Sequence, residues 1–170
     1  SDYFDSFYLA REYNRDIRKI TEIRQWCDKN GKGLYGLANS GCLKNCSAHT
    51  FHDNLVAHER ESAEMDNAYV FEGQCKIFLS SRQKRESWLK YMTFIRPEDV
   101  AEYEGLFDGM KLATRVSSSP VTVLASYLKG SFAGGVHTLL EPDHSGIFYP
   151  NYIENANFDS GFASHVMNCD

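Results

Sequence analysis

The sequence predicts an α/β fold in which parallel β-α units form part of a barrel. Short apolar runs alternate with helix-forming segments along the chain, and three of these runs are followed directly by an arginine. The composition agrees, because 42% of the 170 residues are hydrophobic and 24% are charged, as in an ordinary soluble globular domain. We therefore expect a single β/α domain over residues 1–170.

Four strands are predicted from runs that are rich in apolar, aromatic and β-branched residues. They cover residues 7–10, 34–38, 91–95 and 109–114. Four strands are half of the eight in a closed β/α barrel. We therefore expect a half-barrel, a fragment of a larger barrel whose open strand edges are covered by the remaining half or by self-association.

Three helices are predicted between and after these strands. Asn14 is expected to cap the first, whose isoleucines repeat at helical spacing until the stop signal at Gly31. Pro97 begins a short second helix, and Pro120 begins a third that ends at Gly130. The third helix has one apolar face, formed by Val121, Leu124, Ala125 and Leu128.

Arginines follow three of the predicted strands, at Arg11, Arg96 and Arg115. The carboxyl ends of parallel strands form the ligand-binding face of a β/α sheet or barrel. Guanidinium groups at that face would bind a small anionic substrate through paired hydrogen bonds. The alternative is that each arginine pairs with a nearby acid, and the candidates are Glu12, Glu98 and Asp99.

The overall charge makes nucleic acid a poor default partner. The chain carries 18 Lys and Arg against 23 Asp and Glu, a net charge of −5. Residues 76–90 are locally basic, which is typical of a solvated surface segment, and this segment would be the contact for an RNA substrate. No apolar run is long enough to span a membrane, and no export signal is recognisable. We expect a cytoplasmic protein without a membrane partner.

The five cysteines argue against a disulfide framework, because their number is odd and no export signal is recognisable, which leaves buried thiols, metal ligation or redox chemistry. Cys42 and Cys46 follow the second strand and are separated by three residues, so both thiolates can reach one metal or cluster. Cys75 and Cys169 would supply the third and fourth ligands. The alternative is that these thiols are simply buried as small apolar groups.

Zinc and peptidase chemistry are the competing interpretations of this segment. Cys42 and Cys46, together with His49 and His52, have the donor atoms of a Cys2His2 zinc site, but without the usual longer spacer. For a peptidase, no Ser-His-Asp or Cys-His arrangement can be identified. The metal-binding pattern His-Glu-x2-His is not met either, because His58-Glu59 has no second histidine four residues after His58.

Four segments together resemble the C-terminal part of the collagenase-like peptidase family of unknown catalytic type. They are AREYNRD, LANSGCLKNCSAHTFHDNLVAHE, TFIRPEDVAEYEG and DGMKLATRVSSSP, in this order over most of the chain. The resemblance implies a TIM-like barrel. It also implies iron–sulfur enzymes that hydroxylate a quinone precursor or RNA bases without oxygen, with four cysteine ligands. Carried over, Cys42 and Cys46 match the close pair and Cys75 the next single cysteine, whereas the match of Cys169 is doubtful.

The leading hypothesis is therefore an iron–sulfur barrel piece of an enzyme that modifies a small aromatic substrate or a nucleic-acid base. Arg11, Arg96 and Arg115 would anchor an anionic group, while Asn39 and His52 line the pocket. The second hypothesis is a metal-free module that binds a ligand or a partner.

Overall fold

The computed structural model describes residues 3–62, 74–115 and 117–167. Its centre is a parallel sheet of three strands in the order β1-β2-β3, formed by Ser6–Tyr8, Gly33–Leu37 and Gly109–Lys111. Tyr35 of β2 lies opposite Tyr8 of β1 and Gly109 of β3. The α/β class is therefore confirmed. The half-barrel, which needs more strands than this sheet has, stays a proposal.

Eight α-helices surround this sheet in the described part of the chain. In order they are α1 Ile17–Lys29, α2 His49–Ser62, α3 Gln74–Phe78, α4 Arg82–Glu86, α5 Trp88–Tyr91, α6 Pro120–Lys129, α7 Ser145–Phe148 and α8 Phe162–Met167. Four 3-10 helices lie at Arg11–Tyr13, Pro97–Tyr103, Val136–Leu139 and Asn155–Asn157. None of the described helices is both long and apolar enough to cross a membrane.

Helix α1 forms where the isoleucine repeat predicts it, but a different residue caps it. The Asp16 side chain accepts a hydrogen bond from the Lys19 amide at 2.9 Å, which satisfies one of the free amides of the first turn. Ile20 and Cys27 are fully buried on one face, and Gly31 follows the helix with a positive φ of 61°. The expected stop is confirmed, because glycine adopts this positive φ without the steric strain that a side chain would add.

The predicted cap Asn14 is wrong, because its side chain bonds elsewhere. Its amide nitrogen donates to the carbonyl oxygens of Leu37 at 2.7 Å and Thr93 at 3.0 Å. The Tyr103 hydroxyl donates to the Asn14 carbonyl at 2.8 Å. This buried asparagine therefore connects the turn after β1 to the end of β2 and to the segment that follows α5.

The predicted strand over residues 91–95 is also wrong. Its first residue ends α5, and Met92 forms a single antiparallel bridge with Leu43. The Ile95 amide donates to the Ala38 carbonyl at 2.9 Å. The run is buried and extended, as its apolar composition requires, but it pairs with the loop after β2 and not with the edge of the sheet.

Helix α6 begins at Pro120 and ends before Gly130, which has a φ of 68°, so both predicted boundaries are confirmed. Its core-facing residues are Val123 and Ser126. The predicted apolar face instead points to solvent, and its members are Val121, Leu124, Ala125 and Leu128.

Two apolar clusters form the core. The first lies between α5, α6 and the C-terminal segments and consists of Leu79, Trp88, Met92, Phe94, Val123, Val136, Leu139, Leu140 and Phe148. The second lies between α1 and the sheet and consists of Leu9, Ile20, Cys27, Leu34, Ala38, Ile95 and Tyr103. Leu112 and Tyr127 pack against both clusters and join them. The loop after β2 runs beside this junction, and it carries the predicted cysteine pair.

Candidate functional site

The loop that carries the cysteines begins with a fully bonded asparagine. Asn39 is 1% exposed, and its amide nitrogen donates to the carbonyl oxygens of Ala113 at 2.6 Å and Leu139 at 3.0 Å. Its side-chain oxygen accepts from the Ala113 amide at 2.7 Å. Asn39 therefore fixes the start of the cysteine loop to the segment that follows β3.

The next residues hold Cys42 in place. The Cys42 amide donates to the Ser40 hydroxyl at 3.2 Å, and the Thr93 hydroxyl lies 3.0 Å from the Ser40 hydroxyl. Nε2 of His144 lies 2.8 Å from the Gly41 carbonyl oxygen. A β-carbon on Gly41 would overlap the Pro142 carbonyl oxygen, so this close approach of two backbones requires glycine.

Three half-buried thiols share one neighbourhood. Burial raises the pKa of Cys42, and the charge of Arg11 and a hydrogen bond with Ser40 oppose this rise. Burial also raises the pKa of Cys75 to about 11, and the charges of Cys42 and Cys46 add to the rise. Cys75 of α3 and Cys46 line the same cavity, so the fold brings this helix to the loop that carries the Cys42–Cys46 pair.

A cavity of about 340 Å³ opens beside these thiols. Its lining residues are Leu43, Lys44, Asn45, Cys46, Ser47, Ala48, Cys75, Phe78 and Tyr91. The Lys84 ammonium lies over the Phe78 ring at 4.6 Å from its centroid, and the Lys90 ammonium over the Tyr91 ring at 5.5 Å. The cavity therefore combines two thiols with two partly exposed aromatic rings, each of which carries a cation.

Arg11 reaches this site from the turn after β1. Its Nη2 donates to both carboxylate oxygens of Asp53, at 2.7 and 2.6 Å, and its Nε donates to Nε2 of His49. His49 and Asp53 are one turn apart on α2, so their side chains lie on the same face of that helix. The Nδ1 atom of His49 lies 3.7 Å from Oε2 of Glu12. His49 is thus part of a network of charged side chains with Arg11, Asp53 and Glu12.

Two buried histidines belong to the surroundings of the loop, and the sequence analysis did not identify either. The ring of His137 stacks on that of Trp88 with centroids 5.4 Å apart, and His144 meets the same indole edge-on at 5.9 Å. Both nitrogens of His137 lack a hydrogen-bond partner in the described part of the chain. His52, the predicted pocket residue, is half-buried on α2.

Arg96 lies apart from this site, inside the protein. Its side chain is 4% exposed and forms two hydrogen bonds of 2.7 Å with the carboxylate of Asp99. The guanidinium carbon lies 4.9 Å from the ring centroids of both Phe158 and Phe162. The side chain therefore contacts the core, and a role in binding a substrate stays a prediction.

The structure brings together only some of the predicted site residues. Cys42 and Cys46 lie on the loop after β2, which begins near Asn39, and Cys75 shares a cavity with Cys46. Arg11 contacts the helix that follows this loop. Arg115 is exposed, four residues beyond β3. Cys169, the fourth predicted ligand, lies outside the described residues. Within residues 3–62, 74–115 and 117–167, no three His, Cys, Asp or Glu side chains are arranged as ligands of one metal ion.

Comparison with known proteins gives one relative. The chain is 30% identical over 169 residues to the uncharacterized protease MJ1657 of Methanocaldococcus jannaschii. This chain is similar to a protein named as a protease. The match covers 95% of this chain and 47% of the relative, so the chain spans about half the length of the curated relative it matches. No family model and no solved structure matches it. The similarity agrees with a peptidase-like family, the coarser part of the resemblance.

Proposed function

We propose that this chain is the cluster-binding part of an enzyme that modifies a small aromatic substrate or a nucleic-acid base. Cys42, Cys46 and Cys75 would hold an iron–sulfur cluster. The observation that supports this proposal is that Cys46 and Cys75, 29 positions apart in the chain, line one cavity of about 340 Å³, and that Cys42 lies on the same loop as Cys46. Thiolates are the ligands that iron–sulfur clusters use.

The donor set fits such a group by its chemistry. Soft thiolates select iron–sulfur clusters, zinc or copper(I). No Asp or Glu is among the residues that line the cavity, so it offers no carboxylate ligand for a hard metal ion. The raised pKa of Cys42 and of Cys75 means that both are neutral thiols without a metal, so binding has to release their protons. The cluster would supply one-electron chemistry, while the protein residues orient the substrate and exclude water.

The walls of the cavity support a planar, anionic substrate. The rings of Phe78 and Tyr91 offer surfaces on which an aromatic ring can stack. Lys84 and Lys90 lie over these rings, and Lys44 is a third cation at the cavity. Stacking together with cations is how proteins bind single nucleotides and small aromatic acids. Arg11, Asn39, His52, Arg96 and Arg115 remain the predicted substrate residues of this proposal, and Arg11 has the contacts that suit this role best.

A cysteine peptidase would need a different arrangement. Its nucleophile must be a thiolate at neutral pH, which a neighbouring imidazole or cation normally ensures. Here burial raises the pKa of Cys42, and no hydrogen bond joins a cysteine to a histidine among the described residues. The name of the relative therefore supports a peptidase-like family and gives no support to peptide cleavage at Cys42.

The proposal is tested with protein purified without oxygen and with single Cys→Ala variants. Visible absorption and electron paramagnetic resonance after reduction should show a cluster in the wild-type chain. Cys42→Ala, Cys46→Ala and Cys75→Ala should each lose this signal. Cys27→Ala is the matched control, because Cys27 is fully buried in the other core cluster and should keep it. Full signal in Cys42→Ala would overturn the proposal, and unchanged ligand binding without any metal would favour the metal-free module.

A further inference from the structure

The guanidinium of Arg11 contacts two side chains of helix α2, an imidazole and a carboxylate. Its Nε donates to His49, and its Nη2 donates to both oxygens of Asp53. The side chain of Arg11 is 21% exposed, whereas that of Asp53 is 56% exposed. The Asp53 carboxylate is therefore the more exposed partner of this ion pair. Ion pairs with an exposed partner are weak, because water screens them and the side chains lose entropy.

Asp53 uses only one corner of the guanidinium. Both of its oxygens accept from Nη2, which also contacts Nε2 of His49, and Nη1 forms no hydrogen bond with any other described residue. A carboxylate or phosphate that binds an arginine normally uses two nitrogens, with one oxygen on each. Donors for a second oxygen are thus present at Arg11, and Asp53 does not use them.

The contact of Asp53 with His49 depends on whether Nε2 of His49 donates or accepts a hydrogen bond. Nε2 of His49 accepts a hydrogen bond from Arg11 and lies 3.2 Å from Oδ2 of Asp53. One ring nitrogen cannot accept from Arg11 and donate to Asp53 at the same time. While His49 accepts from Arg11, the carboxylate faces a second acceptor, which weakens its hold on this position.

We infer that Asp53 is a built-in competitor for an anion on Arg11, and that an incoming carboxylate or phosphate group displaces it. This inference rests on the proposed function, in which the anion belongs to the substrate, and it adds how the site is regulated. Asp53 would keep the cation beside Cys42 neutralised until a substrate takes its place. The exposed position of Asp53 on α2 allows its side chain to swing away without any change in the backbone.

Inorganic phosphate is a suitable probe, with binding measured by calorimetry at constant ionic strength. Asp53→Asn should bind phosphate about three- to fivefold more tightly than the wild-type chain, as expected for the loss of a weak exposed pair. Arg11→Gln should lose at least about tenfold, because the guanidinium provides the main charge. Glu22→Gln is the matched control, since it removes one carboxylate from the exposed Lys19–Glu22 pair and should leave the affinity unchanged.

Equal affinities for Asp53→Asn and Glu22→Gln would overturn the inference, because net charge alone would then explain any change. Wild-type affinity in Arg11→Gln would also overturn it. Neither result depends on metal. A chain without a cluster in which Asp53→Asn still binds phosphate more tightly contradicts the proposed function alone, and a chain with a cluster but no effect of Asp53→Asn contradicts the inference alone.

Discussion

Nε2 of the buried His144 lies 2.8 Å from the carbonyl oxygen of Gly41, the residue before Cys42. This contact joins the cysteine loop to a segment 103 positions later in the chain. Pro142 comes so close to Gly41 that no side chain fits between them. The position of the candidate cluster site therefore depends on the packing of the C-terminal part of the described chain.

Gly41→Ala should displace the cysteine loop. The added methyl group would overlap the Pro142 carbonyl oxygen, and overpacking of this kind costs about 1–3 kcal/mol of stability. Urea unfolding of the two proteins measures this difference. Gly146→Ala is the control, because nothing lies within 4 Å of the added atom, and in helix α7 it should leave stability unchanged or raise it by up to about 1 kcal/mol. Equal stability of Gly41→Ala and Gly146→Ala would contradict the close contact.

The buried histidines should make the fold sensitive to acid. Burial lowers the pKa of His137 and of His144 below the ordinary 6.5, and the charges of His52 and Asp143 modify this shift at His144 in opposite directions. Below pH 6.5 the unfolded chain therefore binds protons that the folded chain does not. Stability is full above that pH and falls as the pH drops, by at most about 1.4 kcal/mol per pH unit for each histidine.

Urea unfolding between about pH 7.5 and about pH 5.5 measures this slope. His137→Phe keeps an aromatic ring against Trp88 and should make the slope shallower by up to one proton. The same slope in His137→Phe and in the wild-type chain would show that His137 is not buried in its neutral form.

The Arg96–Asp99 pair should behave as part of the core. Asp99→Asn leaves a buried guanidinium without its counter-charge, which costs about 3–5 kcal/mol. Glu22→Gln breaks an exposed pair and should cost less than about 1 kcal/mol. Thermal unfolding compares the two. A small effect of Asp99→Asn on stability, together with weaker binding of phosphate, would instead favour the predicted substrate role of Arg96.

In the chain stripped of metal, the thiol of Cys75 should react slowly at neutral pH. Its pKa is raised to about 11 from an ordinary 9.0, which lowers the thiolate fraction about a hundredfold at neutral pH. The more basic thiolate is about tenfold more nucleophilic, so alkylation by iodoacetamide should be about tenfold slower than in the unfolded chain. The rate should rise with pH until about 11. Mass spectrometry of the Cys75 peptide gives the rate. A rate that is already at its plateau near neutral pH would mean that Cys75 is ionised, against the environment described above.

Elements with strong local signals were predictable from the sequence. The isoleucine repeat predicts α1, and Pro120 and Gly130 mark the ends of α6, because these residues fix or free the backbone locally. The run 91–95 was misassigned because apolar composition indicates a buried extended chain but not the segment with which it pairs. The cap was misplaced because Asn14 and Asp16 both suit the position, and tertiary hydrogen bonds decide between them.

The candidate site was predictable only in part. The Cys42–Cys46 pair is local, so its proximity follows from spacing alone. The arrival of Cys75 depends on how α3 packs, and the pairing of Arg11 with Asp53 joins residues 42 positions apart. The pairing of Arg96 with Asp99 is again local and was among the alternatives considered for the three arginines. The positions of His137 and His144 follow no sequence pattern, because packing against Trp88 determines them.

The measurement that tests the central claim most directly is the content of iron, zinc and acid-labile sulfide in the chain purified without oxygen. The account predicts iron with a near-equal amount of sulfide, and the loss of both in Cys42→Ala. Zinc without sulfide would contradict it and favour the alternative site of Cys42, Cys46, His49 and His52. Neither metal nor sulfide in the wild-type chain would contradict it as well, and would favour the metal-free binding module.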